Sequence, residues 1–289
     1  MRSLLVVLVI LVLFAGLLFI VQDGLIYLPR RYEAREIESW RGRGFVELEF
    51  ATSQGTQGAF YQRPKGGAEP ARIWLVFGGN GGRSMDYRDI ALDADCGYLF
   101  IDYPGYGLCE GKPNPSRIDA TVDAAIQALW RELGVAGEEY QSRLCVFGHS
   151  LGAAVGLRAA VRYGIDQIVL LAPFTTMREM AASLVGGLYA NVLRHRFDNV
   201  AAMEELRSTN PDARVVILNG TGDREIPPAM GRELAERFEG MAEYRPLDGV
   251  GHNDLLDAEM PAVIRAMGGA SPGSNEYPTG RIGAEPGVR

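Results

Sequence analysis

Ser150, Asp223 and His252 are the residues whose types, order and surroundings could carry covalent chemistry. Ser150 stands in Gly148-His149-Ser150-Leu151-Gly152, between the apolar run Leu144–Phe147 and the Ala/Leu-rich stretch Leu151–Tyr163. A G-x-S-x-G pattern can turn a strand sharply into a helix and leave the hydroxyl exposed at the corner. With 36 glycines in the chain, the five residues alone carry little weight, and a serine capping a helix would look the same. The apolar run before them and the small Ala153 and Ala154 after them favour the sharp turn.

A serine hydroxyl is a poor nucleophile without a base. His149 leaves the turn in another direction, and His195, between Arg194 and Arg196, reads as a solvated surface residue. His252 follows "PLDGVG", a strand end and glycine-rich loop from which it can reach across to Ser150. The imidazole needs a carboxylate to fix its tautomer and stabilise its cation. Asp223 closes "NGTGD" at the end of the apolar run Val215–Leu218; Glu225 is the neighbouring alternative, but Pro227 and Pro228 turn the chain away there. A tetrahedral oxyanion would need donors, and the backbone N–H of Leu151 and Asn80, in the loop Gly78-Gly79-Asn80-Gly81-Gly82, are the candidates. No Lys-Ser/Thr pair closes that loop, which excludes a phosphate cradle. Cys96, Cys109 and Cys145 are too few and too irregular for a disulfide framework or a zinc site, so no metal or cofactor is expected.

The elements that must hold these residues alternate. Val46–Phe50 and Gly58–Tyr61 read as an antiparallel hairpin. Ile73–Phe77, Tyr98–Ile101, Leu144–Phe147, Ile168–Leu171 and Val215–Leu218 are continuous apolar runs, the mark of parallel strands covered on both faces. Helical patterns over Arg117–Leu133, Leu151–Tyr163 and Ala229–Phe238 lie between them, predicting one open α/β sheet with helices on both faces. An insertion between Phe174 and Asn210, with Met177, Met180, Leu184, Leu188, Tyr189 and Leu193, could cover the site. The Gly/Pro/Ser-rich tail, residues 268–289, reads as disordered.

Leu4 to Val21 holds no polar or charged side chain, about 18 residues against the roughly 20 a helix needs to cross a bilayer. No A-x-A-like cleavage site follows, so an uncleaved single-pass anchor over residues 1–24 is expected, with Tyr27 at headgroup level. Removing the anchor should leave an active enzyme. Arg2 favours an inward N-terminus while Arg30, Arg31 and Arg35 pull the other way; large domains translocate largely regardless of such charges, which places the catalytic domain on the outer, periplasmic or lumenal, side of the cell membrane. The net charge of −7 argues against a nucleic-acid partner.

"FGGNGG", "DYPGYGLCEGKP", "GHSLGAAVGL", "APFTTMREMA", "RFDN", "NGTGDREIPP" and "GVGHNDLL" resemble, in this order, the blocks of a membrane-anchored serine hydrolase branch of the α/β-hydrolases, related to the abhydrolase-domain depalmitoylases. The order Ser, Asp, His is also that of α/β-hydrolases. The resemblance covers about Leu25 to Met267. It implies an α/β-hydrolase domain over residues 25–267, with Ser150 as nucleophile, Asp223 as acid, His252 as base and Asn80 with Leu151 at the oxyanion hole. It also implies an acyl ester or thioester substrate, since some relatives remove palmitate from cysteine thioesters. Where relatives commonly carry His-Gly-Asn, this chain has Gly78-Gly79-Asn80, a loss expected to loosen the loop. A small-ester carboxylesterase, an aminopeptidase-like hydrolase and a non-catalytic binding protein of the same fold remain alternatives.

Overall fold

The structure is a computed structural model describing residues 2–187 and 189–268. The tail expected to be disordered lies, beyond Gly268, outside the described residues. The chain opens with helix α1 (Arg2–Ile26), followed by α2 (Ala34–Gly42) and the hairpin β1 (Val46–Thr52) and β2 (Gly55–Gln62). Strands β3 (Arg72–Phe77) and β4 (Cys96–Ile101) lead to α3 (Pro115–Leu133) and the short α4 (Gly137–Gln141). Then β5 (Leu144–His149), α5 (Leu151–Tyr163) and β6 (Gln167–Leu171) enter the insertion, which holds α6 (Met177–Val185) and a 3-10 turn (Tyr189–Val192). The chain continues through α7 (Asn199–Thr209), β7 (Arg214–Gly220), α8 (Pro228–Arg237), β8 (Ala242–Leu247) and α9 (Leu255–Ala266).

The eight strands form one sheet in the order β1-β2-β4-β3-β5-β6-β7-β8. β2 pairs antiparallel with β1 and β4, and the pairs from β4 through β8 are parallel. Alternate side chains leave a strand on opposite faces, and both faces are covered. Ile73, Leu75 and Phe77 of β3 join Val146 and Ile168 in a core with α3, α5, α7 and α8, whereas Trp74 and Val76 join Cys145 and Phe147 in a second core with Trp40 of α2 and Val263 of α9. Burial on both faces is why these strands show unbroken apolar runs rather than alternation.

The two ends of α3 show how local residues stop a helix. The Asn114 side chain accepts from the Arg117 N–H, Pro115 follows as the first helical residue, and Gly134 closes the helix at φ 67°. The base of the insertion is pinned in a similar way. Thr176 and Asp198 cap α6 and α7 and also form a β-bridge to each other, and the Met177 N–H donates to Phe197 O. The insertion therefore leaves and rejoins the domain at one point, at the carboxyl edge of the sheet.

By length and composition α1 is apolar enough to cross a bilayer, and only 6% of its Val9–Ile26 stretch is buried against the rest of the chain. The helix runs past the expected boundary at Gly24 to Ile26. Tyr27, expected at headgroup level, is buried within the protein at 3% exposure.

Candidate active site

Ser150 occupies the corner between β5 and α5 with φ 56° and ψ −118°, a conformation that a residue with a side chain adopts only at a cost. The surroundings enforce it. The Ser150 N–H donates to Leu171 O on the neighbouring strand, and Ser150 O accepts from the Ala153 N–H in the first turn of α5. A Cβ on Gly148 would overlap the backbone of Gly152, and one on Gly152 would overlap the carbonyl of Phe77 on β3. The glycines are therefore a packing requirement: the helix enters so close to the sheet that only hydrogen fits at either position.

His252 and Asp223 meet as expected. His252 Nδ1 lies 2.7 Å from Asp223 Oδ2, with the Asp223 side chain fully shielded from solvent and that of His252 5% exposed. The other carboxylate oxygen, Oδ1, accepts from the Glu225 and Ile226 N–H groups, each at 2.9 Å. Burial alone would raise the Asp223 pKa; the His252 hydrogen bond and the two backbone donors outweigh it and hold the carboxyl below its ordinary value. Glu225, the alternative carboxylate, is half-exposed, receives the Asn253 amide and approaches His252 from the other side, 3.9 Å from Nε2. Asp223 is thus the partner that fixes Nδ1 as the protonated nitrogen and leaves Nε2 to face the cavity.

Ser150, His252, Asn80 and Leu151 all line one cavity of about 300 Å³. Gly79 sits against the serine, where a Cβ would lie 3.5 Å from that of Ser150. The glycine loop is held by three tyrosines. Tyr103 Oη donates to Gly78 O at 2.6 Å, Tyr106 Oη donates to Asn80 O at 2.6 Å, and Tyr87 Oη accepts from the Gly79 N–H at 3.4 Å. Buried Asp102 accepts the Ser84 N–H at 2.8 Å, anchoring the 3-10 turn that follows the loop. The "DYPGYG" segment is thereby explained: Asp102, Tyr103 and Tyr106 brace the donor loop from below. These braces support the loop in the absence of a histidine at position 78.

The two remaining histidines differ from their sequence reading in opposite degrees. His149 points away from Ser150, as expected, but it is no bystander. Its Nε2 donates to His252 O at 3.1 Å, its Nδ1 accepts from Tyr87 Oη at 2.6 Å, and its ring lies 4.7 Å from that of His252. Burial, and next the charge of His252, push its pKa down to about 3, so the ring stays neutral. His195 is not a solvated surface residue. It is 6% exposed, with Nδ1 3.1 Å from Tyr27 Oη and Nε2 2.8 Å from Asp23 Oδ1. Burial lowers its pKa and Asp23 opposes that shift.

The insertion contributes as expected in part: Met177, Met180 and Leu193 line the cavity, while the side chains of Leu184, Leu188 and Tyr189 fall outside the described set. The sequence reading missed the fourth wall. Leu18, Gln22, Leu25 and Ile26 of α1 also face the cavity. Their spacing of i, i+4, i+7 and i+8 is one stripe of a helix, and Gln22, the first polar side chain after the apolar run, was the available signal.

The α/β hydrolase family model matches residues 66–210, half of the chain, from the glycine loop's strand through Ser150 to the end of α7. The chain belongs to the α/β hydrolase family. Among curated relatives of this α/β hydrolase, an uncharacterized protein of Mycobacterium tuberculosis is 29% identical over 268 residues, covering 90% of this chain and 92% of that one. Alpha/beta hydrolase domain-containing protein 17B of Xenopus laevis is 29% identical over 175 residues, 61% of this chain and 57% of that one. The human 17C protein is 29% identical over 170 residues, 58% and 48% of the two chains; this chain spans about half the length of these vertebrate relatives. Among solved structures, the Pyrococcus furiosus esterase Pf2001 superposes with a TM-score of 0.63 at 15% identity, covering 83% of this chain and 96% of that one. An α/β hydrolase from Vibrio vulnificus superposes at 0.62 with 16% identity, covering 82% and 88%. At these identities the superpositions show the fold.

Proposed function

We propose that this α/β hydrolase is a membrane-anchored serine hydrolase that cleaves acyl esters or thioesters through an acyl-enzyme, with Ser150, His252 and Asp223 as its triad. The observation that carries the reading is the shielded Asp223–His252 hydrogen bond opening onto the same apolar cavity as a strained serine corner. Ser150 Oγ adds to the carbonyl carbon while its proton passes to His252 Nε2, and Asp223 stabilises the imidazolium. The carbonyl oxygen, now an anion, is taken by the Leu151 and Asn80 N–H groups. Collapse expels the alcohol or thiol, which leaves with the proton from Nε2. Water then repeats the sequence on the acyl-serine, releasing a carboxylic acid and restoring the serine. None of these steps requires a cofactor.

The cavity lining supports an acyl-chain substrate: Met177, Met180, Leu193, Phe174 and Ile226 surround the serine with apolar surface, and methionine adapts its shape to variable chains. Each buried methylene contributes about 0.8 kcal/mol. The anchor would be α1, with the catalytic domain on the outer side of the membrane. A fluorophosphonate probe tests the chemistry: covalent labelling of Ser150 is expected, and absence of labelling on folded protein refutes it. p-Nitrophenyl esters from acetyl to dodecanoyl, with matched thioesters, test the substrate. A rise to at least octanoyl supports the acyl reading; a steady fall from acetyl upward replaces it with a small-ester carboxylesterase. Protease treatment of intact cells tests orientation, since complete protection of the domain places it inside.

A further inference from the structure

The end of α1 is built into the domain. Asp23 pairs with Arg194 at 2.7 Å and with His195 at 2.8 Å. Gln22 Oε1 accepts the Arg194 N–H at 2.6 Å, and the Arg194 guanidinium lies 4.7 Å from the Phe19 ring centroid. Two residues beyond the helix, the Leu28 N–H donates to Asn80 O at 3.0 Å, on the glycine loop itself. These contacts fix the stripe of Leu18, Gln22, Leu25 and Ile26 as a wall of the cavity that contains Ser150. Leu18 and Ile26 are eight residues apart, roughly 12 Å along a helix axis. With α1 as the proposed anchor, a cavity walled by that length of helix would descend from headgroup level into the hydrocarbon.

We infer that the acyl chain enters Ser150's cavity sideways from the bilayer, lying along the Leu18–Leu25 stripe of α1, so that the anchor helix sets chain-length selectivity. This rests on the hydrolase reading above and goes beyond it, because it makes the anchor part of the substrate site. The substrate class is then a lipid-phase acyl ester or thioester, with its chain against α1 and its carbonyl at Ser150. Against the expectation of an active enzyme after deletion through Gly24, it predicts altered chain selectivity: that cut removes Leu18, Gln22 and Asp23, hence part of a wall and the ion pairs that hold it.

The test uses the full chain in phosphatidylcholine nanodiscs with dodecanoic acid bearing a terminal diazirine. On illumination, the crosslinks are expected to concentrate on Leu18, Gln22, Leu25 and Met180 and to be competed by excess dodecanoic acid. Uncompeted labelling, or labelling spread evenly around α1 to Val12 and Leu13, overturns the inference. Leu18→Trp is expected to lower the ratio of dodecanoyl to acetyl ester kcat/KM at least about tenfold, the equivalent of losing two buried methylenes or more. Leu13→Trp, at a position 67% exposed on the free stretch of the helix, is the control. Equal ratios for the two variants also overturn it. The two readings fail separately: a protein that takes no fluorophosphonate sinks the hydrolase, while the crosslink pattern still decides the wall.

Discussion

The wall behind Ser150 consists of strand ends and glycines whose neighbours are fixed backbone, whereas the wall facing it consists of α1 and the insertion, joined by side chains of which Gln22 and His195 are buried and Asp23 and Arg194 reach solvent. The Asp223 carboxylate is fully shielded, while Asp23 and Arg194 of the facing wall are 52% and 39% exposed. Buried charge with every oxygen satisfied is costly to disturb, since removing one partner leaves the other desolvated. An exposed ion pair contributes about 0–1 kcal/mol. The half that must hold reacting atoms in place is therefore rigid by construction. The half that, on the acyl-chain proposal, admits chains of different length is held at Asp23 and Arg194 by an exposed pair weak enough to open.

That contrast fails at once if the rigid half tolerates change. Ser150→Ala should lower p-nitrophenyl butyrate turnover by roughly 10⁴–10⁶ with little change in the unfolding midpoint, and His252→Ala by nearly as much. Asp223→Asn should cost about 10⁴, because the amide cannot fix the productive tautomer; steady-state kinetics on the folded variant would show it. Glu225→Gln, at an exposed carboxylate, should cost less than about tenfold, and a larger loss would reassign the acid.

His149 sharpens the contrast through pH. Its unfolded ring takes a proton below 6.5, but its folded ring does so only near pH 3. Stability is therefore intact above 6.5 and falls as pH drops through that window, by up to about 1.4 kcal/mol per pH unit from this residue. His149→Phe should lose about 1–3 kcal/mol at neutral pH from the unpaired Tyr87 hydroxyl and His252 carbonyl. It should also flatten the acid limb measured by urea unfolding between pH 6.5 and 3. An unchanged limb would mean that the ring is not held neutral. The smallest effect belongs to the facing wall: Arg194→Ala should change stability by at most about 1 kcal/mol. A fall beyond about 2 kcal/mol in thermal unfolding would erase the distinction between the two walls.

What was legible in the sequence follows the same division. The strands of the sheet centre are read directly, because burial on both faces leaves only apolar residues to choose from. Ser150, Asp223 and His252 are read because each sits where a strand ends in glycines. β8 is harder to read, since an edge strand carrying Glu243, Tyr244 and Arg245 has no apolar run. α2 has few apolar residues, chiefly Ile37 and the buried Trp40, too few to mark a helical stripe in the sequence. His195 is misjudged because its partner Tyr27 lies 168 residues away in the chain, a pairing that no local pattern encodes. The α1 wall is marked in the sequence by Gln22 alone, because the apolar run before it carries no face to distinguish the side that packs on protein from the side that meets lipid.

The hydrogen bond from Leu28 to Asn80 has a kinetic consequence. Only Tyr27 separates the end of α1 from the residue that grips the glycine loop, so with α1 as the proposed anchor no flexible tether would let the site leave the membrane plane. An enzyme mounted in this way searches for substrate by lateral diffusion in two dimensions. Its velocity will then follow the mole fraction of substrate among the surrounding lipids, and diluting the vesicles at constant lipid composition will leave the turnover per enzyme unchanged.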